Sequence, residues 1–191
     1  MSSIGLKYPV AATLNESGGS VAYTEGFSVG KAISASMSVE FSEAILYADN
    51  AIAERVKEFK SGTLSLNTDD LAHGVQARLL GRTLSTDSNM SILTAKADDV
   101  APYVGFGFYG IVLRNNVRLY RAIWFYKCQF SAPNIELSTK GESIEFKTPT
   151  IEGIVMAVSD NRYMDDAIFT TEADAVGWLD EKGNIVPEIG G

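Results

Sequence analysis

Alternation of apolar and polar side chains is the feature that most constrains how this chain folds. In AISASMSVEF (32–41), every odd-numbered residue from Ile33 to Phe41 is apolar, and every even-numbered residue from Ser34 to Glu40 is serine or glutamate. Because successive side chains of a β-strand point to opposite faces, this stretch predicts a half-buried antiparallel strand. Further strands are predicted at TLSLN (63–67), ESIEF (142–146) and TIEGIVMAV (150–158). The chain is therefore expected to be mainly β.

Two segments have the spacing of helices instead. In NTDDLAHGVQARLLG (67–81), leucine and valine recur at helical intervals, and Asp69 or Asp70 is placed to cap the first turn. In TTEADAVGWLDEKG (170–183), Thr171 begins a pattern that resembles a capping box. We therefore predict one β-rich domain over residues 1–191 with two helices.

The composition restricts the class of protein. The 191 residues contain no apolar run long enough to span a membrane, and the chain begins without the basic and apolar regions of a secretory signal. We expect a soluble domain that folds in a cytosol. Cys128 is the single cysteine and His73 the single histidine, which argues against a disulfide, a zinc site and a Ser-His-Asp triad. We expect no catalytic residue, no cofactor and no metal.

The negative charge is concentrated near the C-terminal end of the chain. The formal net charge is -8, and residues 150–191 hold nine acidic residues against Arg162 and Lys182. Affinity for nucleic acid comes mainly from lysine and arginine that neutralise phosphates. Specific binding of DNA or RNA is therefore not expected, although contact with DNA that does not bind is compatible with this charge.

The stretch GFGFYG (105–110) matches the dinucleotide fingerprint G-x-G-x-x-G. That fingerprint functions only where a helix follows the last glycine and holds the pyrophosphate at its N-terminus. The residues that follow, IVLRNNVRLYRAIWFYKCQF (111–130), are β-branched and aromatic and have no helical period. We therefore interpret the glycines as part of a β-hairpin.

The asparagine pair at 115–116 predicts the two-residue turn of this hairpin, because asparagine tolerates positive φ. The resulting register places Gly107 opposite Trp124 and Gly105 opposite Tyr126, so each glycine leaves room for a large ring. Both faces of the hairpin are apolar, and we expect a second sheet and a helix, neighbouring subunits, or both to cover them. The aromatic residues proposed for the core or for contacts between subunits are Tyr103, Phe106, Phe108, Tyr109, Tyr120, Trp124 and Tyr126.

Eight stretches of the sequence resemble the major tail protein, or tail tube protein, of long-tailed phages that infect Gram-positive bacteria. They are IGLKYPV (4–10), GKAISASMSVE (30–40), LYADNAIAE (46–54), GTLSL with DDL (62–71), APYVGFGFY (101–109), YRAIWFYKCQFSAP (120–133), TKGESIEFKTPTIEG (139–153) and WLDEK (178–182). The resemblance spans nearly the whole chain, and TKGESIEFKTPTIEG and APYVGFGFY are its most specific parts.

This resemblance implies a β-sandwich with a flanking helix, whose strands join those of neighbouring subunits into a closed barrel within a hexameric ring. It implies a structural virion protein without enzymatic activity. Stacked rings would form the tail tube around a tape-measure protein, contact the tail terminator and tail-tip proteins, and conduct DNA into the host. The protein would then belong to the virion tail, after assembly in the host cytoplasm. Contractile and non-contractile tails remain equally compatible.

A channel for DNA needs a wall that does not bind DNA, so small polar and acidic residues are the candidates for its lining. The proposed lumen-lining residues are Ser34, Ser36, Ser38, Glu40, Ser143 and Glu145. Lys147 falls on the same face and weakens the argument from charge. A face exposed to solvent on the outside would have the same composition, and this alternative stays open.

Contacts between stacked rings are expected from segments without regular structure of their own. The candidates are the N-terminal arm before Tyr8, the loop at 46–54 and the polar segment 82–99, which is expected to be mobile or ordered by assembly.

Two other classes of protein remain as alternatives. A carbohydrate-binding β-sandwich of a virion or cell surface would use exposed aromatic rings such as those of Tyr103 or Trp124. An enzyme of the glycosidase type would need paired carboxylates, for which Glu40, Glu142 and Glu145 are the candidates.

Overall fold

A computed structural model describes residues 2–48, 51–135 and 148–186, which form ten β-strands and two α-helices. The predicted strand ESIEF lies outside the described residues. In chain order the elements are β1 (Ser2–Ser17), β2 (Ser20–Ser28), β3 (Ala32–Ala48), β4 (Ala51–Thr68), α1 (His73–Leu80), β5 (Thr83–Asp87), β6 (Met90–Thr94), β7 (Val104–Arg114), β8 (Val117–Phe130), β9 (Thr150–Met156), β10 (Met164–Phe169) and α2 (Glu172–Gly183). The expectation of a mainly β chain with two helices is confirmed.

One antiparallel sheet has the strand order β2-β1-β7-β8-β9-β4-β3, and β10 joins it as an additional partner of β8. Strand β8 pairs with β10 along Tyr120–Phe125 and with β9 along Lys127–Phe130. The same edge of β8 therefore changes its pairing strand from β10 to β9 near Tyr126. On the Tyr120 side of that point β10 pairs with β8 in place of β9, while β4 and β3 continue beyond the end of β9, and we call this divergence the fork.

The first core cluster lies between the two parts of this curved sheet. It contains side chains of β7 and β8 such as Phe106 and Phe125, side chains of β4 and β9 such as Leu64 and Ile151, and Leu79 of α1, all nearly inaccessible to solvent. Strands β1 and β3, which are distant in the strand order, approach each other within 8 Å between Cα atoms. One face of the β7–β8 hairpin is therefore covered by strands and by α1.

The second core cluster covers the opposite face of the hairpin with α2. Ala175 and Leu179 of α2 pack with Trp124, Tyr126 and Tyr109, and all five side chains are buried. The expected flanking helix is therefore confirmed.

The glycines of GFGFYG do make room for a ring. Gly107 pairs with Trp124 as predicted. Gly105 does not pair with Tyr126, because the β7–β8 ladder is irregular between Val104 and Phe106. A Cβ atom at Gly105 would lie 2.4 Å from the ring of Trp124, and a Cβ atom at Gly107 would lie 2.5 Å from the same ring. One indole therefore accounts for both glycines.

The helix boundaries agree with the sequence more closely at α2 than at α1. The hydroxyl of Thr171 accepts a hydrogen bond from the backbone N–H of Asp174, as predicted. The cap predicted for α1 is wrong: its N-cap residue is Ala72, and Asp69 instead accepts the backbone N–H groups of Lys31 and Asp70. The Asp69 carboxylate therefore accepts backbone N–H groups next to the loop that joins β4 to α1, one turn before the helix begins.

A long hairpin extends from the sheet at the fork. Strand β4 pairs with β9 only from Gly62 to Asn67, whereas it pairs with β3 along nearly its whole length. The ladder shifts register between Glu40 and Phe41, and beyond this shift no third strand among the described residues pairs with the two. We call Phe41–Ala48 together with Ala51–Phe59 the arm.

All three segments expected to lack regular structure contain strands. The segment at 46–54 includes the ends of β3 and β4, and the N-terminal residues form the start of β1, where Lys7 pairs with Tyr109 of β7. The period of β1 is hidden because Tyr8, with φ +57°, interrupts the ladder. Within 82–99, β5 and β6 form a separate hairpin. Most of its residues are exposed on both faces, so burial imposes no alternation on its sequence.

Candidate functional site

The outer surface of β3, β4 and β9 is a continuous field of small polar side chains. Directly paired residues of an antiparallel ladder share a face of the sheet, so the cross-strand partners of the predicted serines extend the surface that those serines begin. In the β3–β4 ladder the pairs are Ser34 with Asn67, Ser36 with Ser65, Ser38 with Thr63, and Glu40 with Ser61. In the β4–β9 ladder they are Asn67 with Thr150, Ser65 with Glu152, and Thr63 with Ile154. We call these residues the polar face.

The strand geometry explains why the polar face points away from the body. Leu64 and Leu66, which alternate with Thr63 and Ser65 along β4, are fully buried in the first core cluster. The predicted residues of β3, Ser34, Ser36, Ser38 and Glu40, are all exposed. One side of the sheet therefore holds the core, and the other carries hydroxyl groups.

Hydrogen bonds and charges on the polar face are few and local. The side-chain N–H of Asn67 donates to the hydroxyl of Thr150 at 2.8 Å. Glu40 lies 3.6 Å from the ammonium group of Lys60, with both side chains largely exposed. Since Glu152 adds one further carboxylate, the field is only weakly negative. Ile154, which is half exposed, is its one apolar member in the described part of the chain.

Sequence reasoning proposed the four residues of β3 on this surface and missed those of β4 and β9. Ser61, Thr63, Ser65 and Asn67 alternate with buried residues of β4, so the period of TLSLN gave a usable signal for three of them. Their position beside the serines of β3 follows only from the β3–β4 register. Ser143 and Glu145, also proposed for the lumen, lie outside the described residues, as does Lys147.

Strand β3 also forms one edge of the sheet. Within the described residues its backbone pairs with β4 alone. It is 17 residues long, and its sequence contains neither proline nor lysine. Short edge strands, proline and lysine are common means by which proteins prevent edges from pairing with other chains. Strand β3 lacks all three.

Most of the predicted aromatic residues belong to the core of the subunit. Phe106, Tyr109, Trp124 and Tyr126 are buried, Phe108 and Tyr120 are partly buried, and Tyr103 is exposed. Trp124 is fully buried, so the expectation that it stacks on a sugar from solvent is wrong. Its ring fills the space above Gly105 and Gly107 beneath α2.

Tyrosine hydroxyls hold α2 to the sheet. Tyr109 donates a hydrogen bond to Glu172 at the start of the helix, and Tyr8 donates to Asp180 at 2.7 Å near its end. Burial raises the pKa of Tyr8 to about 12, and the hydrogen bond to Asp180 adds to this effect. Lys182 reaches the hydroxyl of Tyr126 at 3.1 Å. The side chains of Glu172, Asp180 and Lys182 therefore serve to attach α2 to the sheet.

The acidic, cysteine and histidine residues that could suggest catalysis or metal binding make contacts typical of structural residues. Asp165 pairs with Lys182, and Asp166 pairs with Arg121. Cys128 is buried as expected, and burial raises the pKa of its thiol. His73 contacts the hydroxyl of Ser91 at 3.1 Å. Among the residues described, no group of three or more His, Cys, Asp and Glu side chains could hold a metal ion.

No protein-family model and no curated protein sequence matches this chain. None of the helices in the described ranges is long and apolar enough to cross a membrane.

Proposed function

We propose that this chain is a tail tube protein, a structural virion component that assembles as stacked rings into the tail of a long-tailed phage. The resemblance of its sequence and the mainly β fold with a flanking helix support this proposal. The observation that carries it is the edge of β3, which no other described strand pairs: 17 residues without proline or lysine are suited to pairing with another copy of the chain. Joining edges in a closed ring removes the exposed edge completely.

The position of the polar face favours its placement toward the lumen of such a ring. The first core cluster, with Leu79 and Leu80 of α1, lies on the other side of the β3–β4–β9 layer, and α2 packs on the far face of the β7–β8 hairpin. When copies join through a sheet that closes on itself, the bulk of each subunit fits on the convex side, where there is more space. The thin side, which carries the polar face, then lines the hole.

The chemistry of the polar face fits a wall along which DNA slides. Ser, Thr and Asn side chains are hydrated and neutral, and Glu40 and Glu152 repel phosphates. Tight binding to DNA requires cations that replace its counterions. Lys60 is the cation of this surface in the described residues, and Glu40 offsets its charge. The proposal includes the partners that the resemblance implies, namely the tape-measure protein and the proteins at both ends of the tail.

Electron microscopy of the purified protein over a concentration series, joined to hydrogen exchange, tests this function. We expect hollow tubes or rings, and amides of β3 that exchange fast in free subunits and slowly in the assembly. Amides of β7, which is paired on both sides, serve as the internal control and stay protected in both states. Tubes in which β3 still exchanges fast would refute the role of the edge. Persistent monomers across the series, also with a tail-tip initiator added, would refute the tube itself.

The lumen assignment has a separate test in phage that carry Glu40→Gln and Glu152→Gln together. We expect normal tails and slower DNA ejection, because the wall then repels DNA less. The matched control is Glu58→Gln, which removes an exposed carboxylate from the arm instead. Equal ejection rates in all three phages would place the polar face outside the channel.

A further inference from the structure

An aromatic stack joins the root of the arm to the body. The rings of Phe59 and Tyr163 lie parallel, with an angle of 3° between their planes and 3.9 Å between their centroids. Phe59 is the last residue of the arm on β4 and pairs across the ladder with Phe41. Tyr163 immediately precedes β10. We call this contact the root stack.

Tyr163 is placed where the sheet divides. Its carbonyl accepts the backbone N–H of Tyr126 at 3.1 Å, at the point where β8 changes partners from β10 to β9. The next residue, Met164, packs against the first core cluster, as Phe59 does from the other side of the fork. The ring of Tyr163 therefore fills the fork between β10 and the departing β4.

Phe59 also packs against the first core cluster, and the ion pair and the cation–π contact found among the described side chains of the arm join one of its strands to the other. Arg55 pairs with Glu43, and the ammonium group of Lys57 lies 4.4 Å above the ring of Phe41. These contacts hold the two strands together but do not orient them relative to the body. A two-stranded ladder alone is of marginal stability in water, so its direction depends on what holds its root.

We propose that the root stack sets the angle at which the arm leaves the body and so presents it, already oriented, to a second copy of the chain. The proposed function enters only in naming the second copy as what the arm contacts. The eight residues of Phe41–Ala48 extend about 26 Å at about 3.3 Å per residue. A rotation of ten degrees at the root then moves the far end by about 4–5 Å, which is enough to lose a specific contact. Fixing the angle before assembly lowers the entropic cost of binding.

Distance measurements between two spin labels in the free subunit test this directly. The labels are attached at Ala44→Cys, an exposed site on the arm three residues beyond Phe41, and at Thr170→Cys, an exposed site on the body, while Cys128 is buried and stays unlabelled. We expect a narrow distance distribution in the parent and one at least about twice as wide in Tyr163→Ala. Tyr163→Phe is the matched control, because it keeps the ring and is expected to restore the narrow distribution.

A second variant and a measurement of hydrogen exchange in the body distinguish loss of the stack from damage to the core. Phe59→Leu removes the stack from the side of the arm, and it should widen the distribution as Tyr163→Ala does. Hydrogen exchange of β7 and β8 should be unchanged in both variants. An unchanged distribution width refutes the proposal, and so does a loss of protection in β7 and β8, because the rings would then be part of the core. Tube assembly is scored separately. If the distance distribution widens in the variants but the parent protein forms no tubes, the proposal about the root stack stands and the proposed function is refuted.

Discussion

Replacing Gly107 by alanine tests the interpretation of GFGFYG as a hairpin built around one indole. A Cβ atom there would lie 2.5 Å from the ring of Trp124, 2.8 Å from the carbonyl oxygen of Ile123 and 2.8 Å from Leu179. These neighbours are buried and cannot move far, so overpacking should cost roughly 1–3 kcal/mol. The lower entropy of the unfolded chain returns about 0.4–1 kcal/mol of this. We expect a net loss of about 1–2 kcal/mol in the free energy of unfolding.

Urea denaturation followed by far-UV circular dichroism measures this loss, and thermal denaturation should show a fall of about 2–4 °C for each kcal/mol. Gly177→Ala is the matched control. Gly177 is an exposed position inside α2 whose added Cβ meets nothing within 4 Å, so this variant should be more stable by about 0.5–1 kcal/mol. The same chemical change thus has opposite signs at the two sites.

A double-mutant cycle identifies the group that Gly107→Ala contacts. Trp124→Phe alone should destabilise by leaving a cavity. Combined with Gly107→Ala, the smaller ring leaves space for the new methyl group. The double variant should therefore lose less than the sum of the single losses, by about 0.5–2 kcal/mol. Strict additivity, or a Gly107→Ala variant as stable as the parent, would refute the argument that the glycine makes room for the ring.

Three further predictions follow from side chains in the body. Thr171→Ala should lower stability by about 1 kcal/mol, because the cap on the N–H of Asp174 is lost, whereas Thr171→Ser should keep it; thermal denaturation compares them. Burial favours the neutral form of Asp165, but hydrogen bonds from Lys182 and a tyrosine hold its pKa below the usual range. The stabilisation from this carboxylate is therefore complete above about pH 4–5 and lost as the pH falls through its folded pKa. Asp165→Asn should have a shallower loss of stability than the parent over that range, and parallel curves would contradict the assignment. Cys128 should not react with a thiol reagent in the native protein and should react fully in denaturant, and native reactivity would contradict its burial.

The elements that the sequence predicts well are those in which one face is buried. Leu64 and Leu66 are fully buried where the alternation of TLSLN places them, and Leu179 on the inner face of α2 packs against the sheet as helical spacing requires. The pairing of Gly107 with Trp124 follows from the turn at 115–116, because the length of a hairpin loop fixes its register. Local patterns are sufficient in these cases because the burial that they reflect is local to one strand or helix.

The polar face could be predicted only in part because half of it depends on which strands are neighbours. The serines of β3 show their common side by alternation alone. Thr150 and Glu152 of β9 reach the same surface through β4, which pairs with both strands, although about eighty residues separate β9 from β4. No pattern within either stretch encodes that pairing.

The arm shows why the same pattern can mean two different things. Phe41 and Ile45 continue the apolar alternation that begins at Ile33, and a reader of the sequence would bury them all. In the structure Phe41 is 46% exposed and Ile45 40% exposed, while Ile33, which is 53% exposed, lies at a separate register shift between Ala32 and Ser34. The reason is that β4 pairs with β9 only from Gly62 onward, so the residues of β4 before Gly62 and the facing residues of β3 after Glu40 extend past the end of the core. An apolar pattern that extends beyond the core available to it requires a surface from elsewhere, since exposed apolar patches on a free subunit favour association. The apolar side of the arm is therefore a surface that favours association, and this observation is independent of the edge of β3 that no described strand pairs.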